Sequence, residues 1–137
     1  MSIKKKIRVL IVDDSLLFRE TLARGIAGDP AMEVVATASD PYEARDKIIE
    51  FEPDVMTLDE EMPRMNGIEF LRKLMPQHPL PVVMVSGVNA NVFEALNAGA
   101  VDFVNKPDLK NANGLDMLIN ELIVKIKIAS TARLGHW

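Results

Sequence analysis

The chain has 137 residues, enough for one domain of ordinary size and too few for two. Its 48% hydrophobic content supports a packed core, and the 5% aromatic share makes that core mostly Val, Ile, Leu, Met and Ala. A formal charge of −4 gives no reason to expect nucleic-acid contact, and the absence of cysteine excludes disulfides, thiolate metal sites and cysteine nucleophiles.

The first apolar run, Ile7 to Val12, follows Lys4, Lys5 and Lys6, a short basic stretch best read as solvated. The run is too short for the apolar region of a signal peptide, and Asp13 and Asp14 end it abruptly. No segment reaches the length of a membrane span, so a cytoplasmic protein without membrane insertion is expected. Ser15 caps a helix in which Phe18, Leu22 and Ile26 repeat on one face, and Gly28-Asp29-Pro30 stops it. A more polar strand, Glu33–Thr37, suits a place near a sheet edge. A helix from Pro41 to Phe51 then buries Ala44 and Ile48.

The strand Asp54–Leu58 ends at Asp59, and Gly67 to Met75 is helical until Pro76. The strand Pro81–Val85 ends at Ser86. A helix from Asn91 to Ala98 turns Val92, Ala95 and Leu96 inward, with Gly99 just past its end. A fifth strand, Val101–Asn105, ends at Lys106-Pro107, and the last helix carries Leu115, Leu118, Leu122 and Ile126 between about Gly114 and Ile128.

This order is (βα)₅, an α/β fold of the doubly wound, flavodoxin-like kind with an open parallel sheet and helices on both faces. The strand order 2-1-3-4-5 is taken over from known examples of the fold. Residues 1–128 form the domain, and residues 129–137 lose the periodicity and read as a tail or the start of a linker.

In such a sheet, sites form beyond the carboxyl ends of the strands. Asp13, Asp14 and Asp59 follow the first and third strands, which that order makes neighbours. Each alone is an ordinary cap or turn residue. Together they repel: two carboxylates about 4 Å apart cost roughly 4 kcal/mol at an effective dielectric of 20. A hard dication relieves this, and a cluster without sulfur or imidazole favours Mg²⁺ or Mn²⁺ over zinc. Ser86 can donate a hydroxyl, and Lys106 can pair its ammonium with an anionic oxygen.

The ordered set Val12-Asp13-Asp14-Ser15, Leu58-Asp59, Met62-Pro63-Arg64-Met65-Asn66-Gly67, Val85-Ser86-Gly87 and Lys106-Pro107 resembles the response-regulator receiver family, from Ile7 to about Ile128. The resemblance implies that Asp59 accepts a phosphoryl group from a phosphohistidine on a sensor histidine kinase. It implies that Asp13, Asp14, Asp59 and the backbone carbonyl of Glu61 hold Mg²⁺, and that Ser86 and Lys106 receive the phosphoryl oxygens. It makes Phe103 the switch aromatic on the face of the fourth helix, fifth strand and fifth helix, and the Lys106–Pro107 peptide cis. Glu61, two residues past the phosphoacceptor, could also influence dephosphorylation.

Within the family the wording is most similar to the receiver half of chemotaxis protein-glutamate methylesterases, notably Thr57 to Gly67 and Gly99 to Val104. That implies a chemotaxis-type kinase and a methylesterase output domain outside this chain. Gly87 stands where a second Ser is common, and the stretch from Val88 to Asn91 is short for that subfamily. The esterase chemistry is absent here, since Met84 and Val88 stand where a nucleophile elbow around Ser86 needs glycine. His78 and His136 read as solvated. For this chain no enzymatic activity is expected beyond phosphoacceptance and autodephosphorylation. The alternatives are a stand-alone signalling receiver and a structural receiver with an idle pocket. An Asp-nucleophile phosphatase would need D-x-D-x-T, and a flavodoxin-type binder would need a Ser/Thr/Gly-rich loop in place of the acids.

Overall fold

The computed structural model describes residues 5–87, 91–107 and 113–132. Ten elements alternate along the chain: β1 (Ile7–Val12), α1 (Leu16–Ala27), β2 (Met32–Ala38), α2 (Pro41–Phe51), β3 (Val55–Asp59), α3 (Gly67–Leu74), β4 (Val82–Ser86), α4 (Val92–Ala98), β5 (Asp102–Asn105) and α5 (Gly114–Ala129). All strand pairs are parallel, in the expected order β2-β1-β3-β4-β5. The more polar β2 does lie at an edge.

Alternation along the strands divides the interior into two layers. Leu10, Met56, Leu58, Val82 and Met84 face α2, α3 and α4, where Ala44, Ile48, Leu71 and Ala95 meet them. Val9, Ile11, Val83, Val85 and Val104 face α1 and α5, packing on Leu22, Ile26, Leu118, Leu122 and Ile126. The central strands β3 and β4 are buried throughout, which is why they read as nearly continuous apolar runs.

The helix starts follow local chemistry. Ser15 Oγ accepts from Phe18 N, Asp40 Oδ1 from Glu43 N and Asn66 Oδ1 from Glu69 N, each filling an orphan donor of the first turn. Pro41 occupies the first turn of α2, where its missing N–H costs nothing.

Three expectations are corrected. Asp59 and Ser86 are the last residues of β3 and β4 and do not follow them, because the ladder to the neighbouring strand continues through a polar side chain. Leu96 is exposed, since the seven-residue α4 needs only Ala95 and Ala98 to cover its part of the sheet. The Lys106–Pro107 peptide is trans, as are all the described peptide bonds. The trans isomer is intrinsically favoured by about 0.5–1 kcal/mol. Residues 88–90, 108–112 and 133–137, which include Val88, His136 and most of the expected tail, lie outside the described residues.

Candidate functional site

Strand register gathers the site. Val12 lies opposite Leu58, so Asp13 and Asp59, one residue further on each strand, emerge side by side. Asp59 lies opposite Val85, and Ser86 opposite Asn105, which brings Lys106 to the same end of the sheet. One carboxylate oxygen from each of Asp13, Asp14 and Asp59 lies within 4.8 Å of the others. Asp13 and Asp59 are buried and Asp14 is exposed.

Lys106 is the counter-charge. Its Nζ is 3.3 Å from Asp59 Oδ1 and 3.5 Å from Asp13 Oδ2. The ammonium also sits 4.9 Å above the ring of Phe18, which gives it an attractive wall on the α1 side. Backbone donors fix the carboxylates further: Ser15 N reaches Asp13 Oδ1 at 2.9 Å, and Glu61 N reaches Asp59 Oδ1 at 3.1 Å. Arg19 Nη1 donates to Asp13 O at 2.7 Å, tying the strand end to α1. Asp59 Oδ2 is buried with no hydrogen-bond partner among the described residues.

Among the described residues three carboxylates face one ammonium. Burial, and then the neighbouring Asp13, push the Asp59 carboxyl from its ordinary 3.8 up to about 7, against the pull of Lys106 and the Glu61 N–H. Burial likewise raises Asp13, opposed by the Ser15 N–H and Lys106. Burial opposes charge on Lys106 as well, but Asp59 and Asp13 outweigh it and hold the ammonium above its usual value. An orphaned buried oxygen, an all-oxygen donor set and an excess of negative charge together fit a hard dication.

The cluster opens on a cleft of about 800 Å³ bounded by Asp14, Asp59, Glu61, Asn66, Glu94 and Lys106. Ser86 is buried at the end of β4 beside the Lys106 backbone and does not line that cleft. Glu61 is exposed in the turn that folds back over Asp59. Phe103 is half-buried on β5, where its carbonyl accepts from Lys125 Nζ at 2.7 Å and its ring lies 5.4 Å from the same ammonium.

Several neighbours of the site were not legible in the sequence. Phe18 showed there only as a core position, and Lys125 had no local signal at all. Glu60, next to Asp59, is buried and accepts from Asn91 N at 3.4 Å, linking the acidic turn to the start of α4. Gly67, read only as a helix start, lies so close to the turn that an added Cβ would stand 2.6 Å from Asp59 O and 3.1 Å from Glu60 Cα. These are backbone atoms that cannot step aside. Gly67→Ala is therefore expected to destabilise by about 1–3 kcal/mol and to shift the Asp59 turn, read by urea unfolding and by the amide resonances of residues 59–61.

A family model described as the response regulator receiver domain matches residues 9–118. This chain is a response regulator receiver domain. Solved structures agree: the receiver is similar to the response regulator domain of Thermotoga maritima CheB, with TM-score 0.85 and 42% identity over 94% of this chain and 99% of that one. It is 70% identical over 132 residues to a protein-glutamate methylesterase/protein-glutamine glutaminase 2 of Syntrophomonas wolfei, covering 96% of this chain and 39% of the relative. A protein-glutamate methylesterase/protein-glutamine glutaminase of Syntrophotalea carbinolica is 58% identical over 137 residues, again with 39% of its length covered. The receiver is thus of the CheB type, and it spans about 39% of the length of these curated relatives. Among its described residues, no helix is long and apolar enough to cross a membrane.

Proposed function

We propose that this receiver takes a phosphoryl group onto Asp59 from a phosphohistidine of a chemotaxis-type sensor kinase, and so controls a protein-glutamate methylesterase domain of the same polypeptide. The observation that carries the reading is the asymmetric environment of Asp59. Oδ1 is fixed by Lys106 at 3.3 Å and by Glu61 N at 3.1 Å, while Oδ2, at the edge of an open cleft, has no hydrogen-bond partner among the described residues.

In the transfer, a carboxylate oxygen of Asp59 attacks phosphorus, the P–O bond forms, and the P–N bond breaks. The imidazole nitrogen leaves with the electron pair and takes up a proton. Lys106 faces the charge that builds on the transferring oxygens, and the Ser86 hydroxyl offers a donor from the neighbouring strand end. Asp13, Asp14, Asp59 and the Glu61 carbonyl would hold Mg²⁺ or Mn²⁺. When bound, the dication neutralises the carboxylates and accepts a phosphoryl oxygen.

Ser86 and Phe103 form the switch. Movement of Ser86 toward a phosphoryl group repacks the Phe103 ring and with it the face of α4, β5 and α5, a shift between two populations. The receiver runs to Ala129, one residue beyond the expected boundary because that side chain is buried at the end of α5, and the residues after it lead into a linker, in a cytoplasmic protein.

Incubation with Mg²⁺ and a small phosphodonor is expected to add one labile phosphoryl group by intact mass, and none to Asp59→Asn. A folded parent chain that stays unmodified would sink the proposal. For the output, the full-length polypeptide should hydrolyse protein methyl esters faster after phosphorylation, and an unchanged rate would point to a receiver that works alone.

A further inference from the structure

We propose a second functional surface, remote in kind from the acidic cleft: the groove between α2 and α3 is a docking site for an acidic polypeptide segment that inserts a bulky apolar side chain. The groove holds a cavity of about 480 Å³ with Phe70, Leu74 and Pro41 among its walls and Tyr42, Arg45 and Lys73 beside them. A smaller hollow of about 160 Å³ continues it past Ile48, Ile49 and His78. That space takes one or two large side chains.

Charge points to the partner. The chain carries 20 acidic and 16 basic residues, yet the larger cavity is lined by Arg45, Arg72 and Lys73 and, among the described residues, by no carboxylate. Arg72 reaches Glu94 across the neighbouring cleft at 3.9 Å. Arg45 and Lys73 have no ion pair or hydrogen bond among the described residues. Exposed lysines and arginines are ordinarily just solvated, but here they flank exposed apolar groups. Tyr42 is 56% and Ile49 64% exposed, and with Arg45 they fall at i, i+3 and i+7 along one stripe of α2.

Apolar walls with a cationic rim match an apolar anchor flanked by carboxylates. A nucleic acid fits less well, because so few cations cannot track a phosphate backbone on a domain of net charge −4.

The test is a titration of the ¹⁵N-labelled chain with a synthetic peptide carrying Leu-Phe between Asp and Glu residues. Its counterparts replace the acids by Lys or Leu-Phe by Gly-Gly. The acidic peptide should saturate, shifting amides of residues 42–49 and 70–77 and leaving α1 and α5 unmoved. Affinity should fall at least tenfold in Arg45→Glu combined with Lys73→Glu, a surface pair whose thermal midpoint should match the parent. Added salt should weaken binding as well. The proposal is overturned by the absence of saturable shifts, by shifts centred on Asp59, by equal binding of the Lys or Gly-Gly peptide, or by an oligonucleotide that binds the groove more tightly.

Discussion

Replacing Asp59 with Asn should make the metal-free domain more stable, by roughly 4 kcal/mol at most near pH 8, and the gain should fade toward pH 4. The folded Asp59 keeps its proton up to about pH 7, whereas in the unfolded chain it loses it near 3.8. Between those values the native state binds more protons than the unfolded one, so parent stability falls as pH rises through that window. The amide removes both the proton linkage and the repulsion from Asp13. Urea unfolding of both proteins in chelator, from about pH 4 to 8, measures it. Saturating Mg²⁺ should reverse the order, since a ligand for the native carboxylates stabilises only the chain that keeps all three. A variant no more stable than its parent at pH 8 would mean that the buried cluster carries no strain.

Lys106→Met should lower the rate of phosphorylation by a small donor by about 10²-fold or more. The thioether keeps much of the bulk of the side chain beside Phe18 but removes the one ammonium among the described residues within 3.5 Å of both Asp59 and Asp13. Because Lys106 lowers the pKa of Asp59, its loss should move the phosphorylation pH profile to higher pH. Metal-free stability should also drop at neutral pH and recover in acid, where the carboxylates are protonated. Intact-mass time courses across pH read both effects. A rate unchanged within twofold would remove Lys106 from the chemistry.

Most of the site could be seen in the sequence because its acids interrupt apolar runs. Asp13 ends a strand whose limits were legible to the residue, and Asp59 ends another. The expectation placed Asp59 and Ser86 one position outside their strands, because a polar side chain at a strand end looks locally like a turn. Only the pairing partner, Val85 for Asp59 and Asn105 for Ser86, reveals that the ladder continues. Leu96 misled because helical spacing does not say how much of a short helix the sheet can cover. Phe18 under Lys106 and Lys125 on Phe103 join positions far apart in the chain, and the crowding of Gly67 depends on how the acidic turn folds back on it. No local pattern encodes them.

The sheet also works as a partition. Leu10 and Ile11 are neighbours in sequence, yet their side chains sit in separate apolar compartments. Drift in the α1–α5 compartment can therefore retune thermal robustness without directly repacking the side chains of the α2–α3–α4 compartment. The two interiors meet through the shared backbone of the strands between them.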